Sequence, residues 1–245
     1  MVTGGANGIG RAAVLEFARR GAAVAVIDLA IEPAELLAAE IRAVGGRAVA
    51  IRADVTQESD VRRMVECTLA EWGRLDFAFN NAGILGPLGT AFHELEEADW
   101  DRVLDVDLKS VWLCMKHEIT AMLAGSGGAI VNNSSITGLR AATLNPAYGA
   151  AKHGVVGLTS AAASYYGAQG IRVNAVCPGI VMTDMTGLIG IHPDSPSAMR
   201  IARAPLRRAG DPAEIARTAV WLCSEEASYL TGIALPVDGG LSIIA

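Results

Sequence analysis

Short apolar runs alternate along this chain with longer stretches in which apolar positions recur every three or four residues. Val24 to Asp28, Ala48 to Ile51, Leu75 to Phe79, Ala129 to Asn133 and Ile171 to Val176 are short, rich in small and branched apolar residues, and bounded by Gly or charge, which predicts buried strands. Ile233 to Val237 predicts a last strand. Helical spacing is predicted over 9–20, 33–44, 58–72, 97–123 and 147–168. Asp211-Pro212 opens one more helix, with Asp as the cap and Pro in the first turn. Repeated β–α alternation predicts an α/β fold: a parallel, doubly wound sheet with right-handed crossovers and helices on both faces. No linker or composition break divides residues 1–245, so they read as one domain. The segment 180–210, with Pro193, Pro196 and Pro205, reads as the longest irregular stretch and a substrate loop. Only Met1 and Val2 precede Thr3-Gly4. The first strand therefore reads as a stub, or as the remainder of a trimmed one, against the usual length of about five residues.

Composition narrows the classes. A chain of 245 residues buries roughly three quarters of its unfolded surface on folding. Hydrophobic residues make up 51% and charged ones 19%, too apolar for a disordered chain. The net charge of −6, with both signs interspersed, argues against nucleic acid and against a membrane surface as partners. Cys67, Cys114, Cys177 and Cys223 form no C-x-x-C and read as buried free thiols of a reducing compartment. His93, His117, His153 and His192 show no metal-ligand spacing, so no metal site is expected. No apolar run approaches the ~20 residues of a membrane span, and no signal peptide is visible; a cytoplasmic location is the expectation.

Residues 3–10 read Thr-Gly-Gly-Ala-Asn-Gly-Ile-Gly. Gly4, Gly8 and Gly10 give G-x-x-x-G-x-G between the strand stub and a helix. Missing side chains permit a tight turn and close approach to a pyrophosphate, and the helix points its amides at the phosphates. Asp28 ends the second strand, 24 residues after Gly4. A carboxylate there accepts both adenosine ribose hydroxyls and repels a 2′-phosphate. No Arg or Lys stands at Asn7 or beside Asp28. The expected cofactor is NAD rather than NADP.

Tyr148 and Lys152 lie four residues apart, with Ser135 thirteen upstream of the Tyr. Four residues is one helical turn, so phenol and ammonium share a face. A phenol beside a fixed cation ionises more easily and suits acid/base work.

With these residues in hand, the chain resembles the short-chain dehydrogenase/reductase family over its whole length. The matching motifs, in family order, are Thr3-Gly4-x3-Gly8-Ile9-Gly10, Asp54-Val55, Asn80-Asn81-Ala82-Gly83, Ser135, Tyr148-x3-Lys152 and Pro178-Gly179-x3-Thr183. The resemblance implies a seven-stranded Rossmann-like sheet and contacts between subunits through the helices near 97–123 and 147–168, as a homotetramer or homodimer. For the cofactor it implies Gly4, Asn7, Gly8, Ile9 and Gly10 at the first turn. Asp54 and Val55 would flank the adenine, and Asn81, Ala82 and Gly83 would lie beneath the dinucleotide. Pro178, Gly179, Ile180 and Thr183 would border the nicotinamide, Ile180 and Thr183 holding its carboxamide. Tyr148 would border it too, and Lys152 would bind its ribose.

The implied reaction is hydride transfer between NAD and a secondary alcohol or ketone, with Tyr148 as acid/base and Ser135 as donor to the substrate oxygen. The family usually carries a catalytic Asn where Asp107 stands in Val106-Asp107-Leu108-Lys109, which makes Asp107 a catalytic candidate with altered chemistry. The substrate wall is expected from Leu85–Phe92, Ile136–Leu144 and 180–210, offering Leu139, Leu144, Met182, Met185, Leu188 and Ile189 to an uncharged, medium-sized, alicyclic small molecule. Two other readings are a 3-oxoacyl-carrier-protein reductase, with Arg200, Arg203, Arg207 and Arg208 as a docking rim, and a dinucleotide sensor without catalysis. Asp28 weighs against the first, and the Tyr–Lys pair against the second.

Overall fold

The computed structural model describes residues 1–141, 145–189 and 195–244, apart from the side chains of Leu188 and Ile189. Leu144, His192 and Pro193, singled out above, lie outside the described residues. Seven parallel strands form one sheet in the order β3-β2-β1-β4-β5-β6-β7. They are β1 (Val2–Thr3), β2 (Ala23–Asp28), β3 (Arg47–Arg52), β4 (Phe77–Asn80), β5 (Gly128–Asn133), β6 (Ile171–Pro178) and β7 (Ala234–Val237). The chain winds outward from β1 to β3, then returns to the other side of β1 with β4. That reversal opens a crevice at the carboxyl ends of β1 and β4, where such sheets bind ligands. β1 is a two-residue stub, yet Val2 pairs with both Val26 and Phe79, so it is a central strand.

Helices cover both faces. α1 (Gly8–Arg19), α2 (Ile31–Ala43) and α9 (Pro212–Cys223) pack one face through Val14, Leu37 and Ile215. α3 (Glu58–Trp72), α5 (Ser110–Ala124) and α6 (Pro146–Tyr166) pack the other through Met64, Leu113 and Ala163. Ile27, Phe79 and Ile130 are fully buried in the sheet itself, each contributing about 1.5–3 kcal/mol of transfer free energy. Asp211 caps α9 by accepting the Ala213 N–H, with Pro212 in the first turn, as its sequence predicts.

Three expectations change. The helix expected over 97–123 is α4 (Glu97–Leu104) and α5 joined by a π turn at Asp105–Lys109. The extra residue per turn rotates Asp107 into the interior, where it is fully buried. The stretch 180–210 is not irregular throughout: α7 (Asp184–Ile189) and α8 (Pro196–Arg203) lie within it. Cys67 faces solvent, because it falls on the outer side of α3, whereas Cys114, Cys177 and Cys223 are buried.

Beneath the carboxyl ends of β4 and β5 runs a buried polar chain. Asn80 Nδ2 donates to Glu118 Oε2 (2.9 Å) and to Asn132 Oδ1 (3.0 Å). Asn132 Nδ2 donates in turn to the Thr159 hydroxyl (2.9 Å). Glu118 Oε1 has no partner among the described residues. Burial pushes the Glu118 carboxyl up to about 7, against the pull of the Asn80 amide. The folded protein therefore holds that proton more tightly than the unfolded chain does, and it loses stability as pH rises from the ordinary glutamate range through about 7. We expect Glu118→Gln to melt higher than the native protein at pH 8, with the gain gone at pH 4, in paired thermal melts. An equal difference at both pH values would contradict a buried, proton-linked carboxyl.

Candidate active site

The turn between β1 and α1 follows from its glycines. Gly4 and Gly8 adopt φ of 58° and 52°, the left-handed region that Gly enters freely. A Cβ at Gly10 would overlap the Gly4 carbonyl oxygen, so strand and helix approach more closely than any other residue allows. Gly10 is buried under the turn and does not face the crevice; its role there is packing. α1 begins with no acid in its first turn and no side chain capping its amides. Those free N–H groups and the positive helix end suit a phosphate.

In front of this turn lies a cleft of about 820 Å³, lined by Gly4, Asn7, Gly8, Ile9, Asp28, Asp54, Val55, Asn81, Ala82, Gly83 and Thr183. Volume, glycine turn and free amides together fit a dinucleotide. Asp28 is held in place by two backbone donors: Ala6 N–H to Oδ2 and Ala30 N–H to Oδ1, both 3.0 Å. Each oxygen keeps a further lone pair for a ribose hydroxyl. Arg102 is the one basic side chain of the lining among the described residues, and it comes from α4 rather than from the strand beside Asp28. Asn81 fastens β4 to the turn, its Nδ2 donating to the carbonyls of Thr3 (3.1 Å) and Gly4 (3.2 Å).

Tyr148 and Lys152 stand in the first turns of α6. Asn145 caps this helix by accepting the N–H groups of Ala147 (2.8 Å) and Tyr148 (3.2 Å), and Pro146 follows in the first turn. The Lys152 ammonium lies 5.4 Å from the centroid of the Tyr148 ring. It donates to the Asn133 carbonyl (3.2 Å) and lies 3.5 Å from Asp107 Oδ2. Asp107 Oδ1 accepts the Ile84 N–H (2.7 Å). Tyr148 and buried Ser135 share the wall of a second pocket with Pro178, Gly179, Ile180 and Thr183. This pocket meets the cleft at Ile9, Asn133, Thr183 and Met185, which line both. Lys152 and Asp107 line neither; they stand behind the wall.

The electrostatics correct one expectation. Although Tyr148 as a residue is only half-buried, its phenol is closely surrounded. Burial is the largest influence and raises its pKa; Lys152 pulls it down, Asp107 pushes it up, and Ser135 pulls it down. The protein alone thus keeps the phenol protonated, where the Tyr–Lys spacing by itself suggested easy ionisation. Burial disfavours the Lys152 ammonium as well, but Asp107 and then Tyr148 carry it above the ordinary lysine value. Burial also raises the Asp107 carboxyl, against Lys152 and the Ile84 N–H.

Of the expected substrate wall, Leu85, Ile136 and Met185 line the pocket, while Leu139 does not and Met182 is exposed. Sequence reading missed Asn133, whose carbonyl takes the Lys152 ammonium and whose amide donates to Asn81 Oδ1 (2.9 Å). Its place at the end of a strand, two residues before Ser135, is the signal that was available.

Comparison with known proteins agrees with this geometry. A family model described as Enoyl-(Acyl carrier protein) reductase matches residues 4–242. The A-factor type gamma-butyrolactone 1'-reductase (1S-forming) of Streptomyces virginiae is 44% identical over 246 residues, covering 100% of this chain and 95% of that protein. The cyclohexanol dehydrogenase of Acinetobacter sp. (strain SE19) is 41% identical over 239 residues, covering 98% of this chain and 92% of that protein. The crystal structure of levodione reductase superposes with a TM-score of 0.94 at 35% identity, covering 100% of this chain and 97% of that one. A tyrosine and a lysine one helical turn apart, beside a dinucleotide-sized cleft, and relatives matched from end to end lead to one assignment: the chain belongs to the short-chain dehydrogenase/reductase family, as an oxidoreductase that works with a nicotinamide dinucleotide.

Proposed function

We infer that this protein is an NAD-dependent dehydrogenase/reductase that interconverts a secondary alcohol and its ketone, on a medium-sized alicyclic substrate. The observation that carries the reading is the shared pocket wall. Tyr148 and Ser135 face one small volume that opens onto the dinucleotide cleft. Two relatives by name, a cyclohexanol dehydrogenase and a levodione reductase, act on molecules of the alcohol and ketone type, which supports the substrate class. The whole chain serves as one dinucleotide-binding and catalytic domain. A cytoplasmic location fits, and no helix among the described residues is long and apolar enough to cross a membrane. The exposed Trp112 on α5, with Lys116 5.6 Å over its ring, supports a homotetramer or homodimer assembled through α5 and α6.

The dinucleotide, held by the glycine turn, Asp28 and Thr183, would supply the hydride acceptor in oxidation and the donor in reduction. The chain's own residues handle the proton. Tyr148 takes it from the alcohol and returns it to the ketone. Ser135 donates a hydrogen bond to the substrate oxygen as charge develops there. Its Oγ already accepts the Thr137 N–H (3.2 Å), which leaves its own O–H available to donate. Moving a phenol from its ordinary pKa near 10 to neutrality takes about 4 kcal/mol. Lys152 contributes to that, and Asp107 opposes it. Asp107 acts as a positioning residue: it fixes Lys152 and the Ile84 backbone without touching the pocket.

NAD should bind more tightly than NADP, because the Asp28 carboxylate meets the 2′ position; calorimetry with both would check it, and tighter NADP binding would refute it. Tyr148→Phe should keep NAD binding near native while turnover falls at least ~100-fold; near-native turnover rules out the role. Asp107→Asn removes a negative charge that raises the Tyr148 pKa. Oxidation needs the phenolate, so the rising limb of its pH–rate profile should move to lower pH in this variant. Superimposable profiles would leave Asp107 with no electrostatic part in catalysis.

A further inference from the structure

One charged side chain in the reaction pocket has no part in the chemistry described so far. The pocket has a volume of about 110 Å³ and, among the described residues, a single charged lining side chain, Arg200. Arg200 is half-buried on α8, whose start is fixed where Ser195 Oγ accepts the Ala198 N–H (3.1 Å). Among the described residues its guanidinium makes no hydrogen bond or ion pair. An adjoining hollow of about 200 Å³ shares Arg200, Ile136 and Thr137 and adds Arg140 and Arg203. No acidic side chain lines either space among the described residues.

The neighbouring arginines are engaged elsewhere. Arg208 grips both carboxylate oxygens of Glu214, each at 2.7 Å, and Arg140 donates to the Ile244 carbonyl (2.9 Å). Arg203 is exposed and has a contact of its own. Of Arg200, Arg203, Arg207 and Arg208, whose crowding suggested a docking rim for a carrier protein, Arg208 is thus committed to Glu214. Among these arginines Arg200 alone lines the pocket that holds Tyr148 and Ser135. A guanidinium carries five donors in a planar fork and no acceptor, so what satisfies it is an oxygen with free lone pairs. Holding it half out of water with no partner costs free energy, which a ligand oxygen would recover. The rest of the wall beside it is mainly apolar, with Leu85, Ile136, Ile180, Val181 and Met185.

We propose that Arg200 is a specificity-determining residue that binds a second oxygen acceptor on the substrate, a carbonyl or carboxylate remote from the reacting carbon. The favoured substrates are then bifunctional ring compounds, such as diketones, hydroxyketones or oxo acids, rather than simple cyclic alcohols. This rests on the dehydrogenase reading of the same pocket.

The test uses the native enzyme with NADH and three ketones of one ring size: cyclohexanone, cyclohexane-1,4-dione and 4-oxocyclohexanecarboxylate. The two acceptor-bearing ketones should exceed cyclohexanone in kcat/KM by roughly 10–100-fold, mostly through KM, the scale of a hydrogen bond to a charged group. In Arg200→Met both ratios should fall to near one, and Arg200→Lys should restore part of the carboxylate ratio. A gain on dione and carboxylate alike marks a carbonyl site, and a gain concentrated on the carboxylate marks an anion site; both support Arg200. Native ratios near one, or ratios that Arg200→Met leaves unchanged, overturn the assignment. Calorimetric titration of cyclohexanecarboxylate into the NAD-loaded enzyme supplies a readout that needs no turnover. Binding by the native protein that weakens at least roughly ten-fold in Arg200→Met supports the site even if no ketone is reduced. Absence of native binding, or equal binding by the variant, refutes it whatever the turnover.

Discussion

A buried ammonium is costly unless its surroundings repay the water it gives up. Lys152 is repaid three times: by the Asn133 carbonyl, by the Asp107 carboxylate and by the face of the Tyr148 ring. Each partner comes from a different element: Asn133 from β5, Asp107 from the π turn between α4 and α5, and Tyr148 from α6 itself. One cation thereby ties strand, turn and helix together at the carboxyl edge of the sheet. That knot sets the back wall of the pocket and fixes the phenol at its front. The buried chain of Asn80, Glu118, Asn132 and Thr159 joins the ends of β4 and β5 to α5 and α6. Removing any one partner would leave a charge or a polar group unpaired in a dry region, so geometry and electrostatics here cannot be varied separately.

Asp107 gives this knot its particular character. An amide at the same place would accept the Ile84 N–H equally well and would carry no charge. The carboxylate holds the Ile84 backbone and also neutralises part of the ammonium field that would otherwise reach the phenol. Burial above all, with Asp107 adding to it, raises the Tyr148 phenol in the free protein. In the proposed reaction, the positive charge of an oxidised dinucleotide would then favour the phenolate that alcohol oxidation needs. The same logic of charge in a confined space applies at the other wall, where among the described residues no acidic side chain lines the pocket beside Arg200.

Much of this was legible in the chain. Parallel β–α alternation, the glycine turn, Asp28 and the Tyr148–Lys152 spacing are all local patterns, and local patterns survive folding because they set backbone turns and helix faces directly. What escaped was non-local or depended on a helical irregularity. The π turn at Asp105–Lys109 has no compositional mark, since the apolar spacing of α4 and α5 differs from a continuous helix by a single residue. Gly10 matches a cofactor motif by spacing, yet its contact with Gly4 assigns it to packing. α8 had a visible signal: Ser195-Pro196 is the same cap-then-proline pair as Asp211-Pro212, hidden by the prolines around it. Arg200 looked like one of four crowded surface arginines, because only the fold shows that Arg208 is committed to Glu214.

The account stands on Tyr148 changing its protonation when positive charge arrives beside it. Near-ultraviolet difference absorbance, titrating the native protein against Tyr148→Phe with and without NAD, follows that one phenol directly. The account predicts a tyrosinate signal, absent from the variant, whose midpoint lies at lower pH when NAD is bound than when it is not. A midpoint that NAD leaves in place, or a signal that persists in Tyr148→Phe, would contradict it.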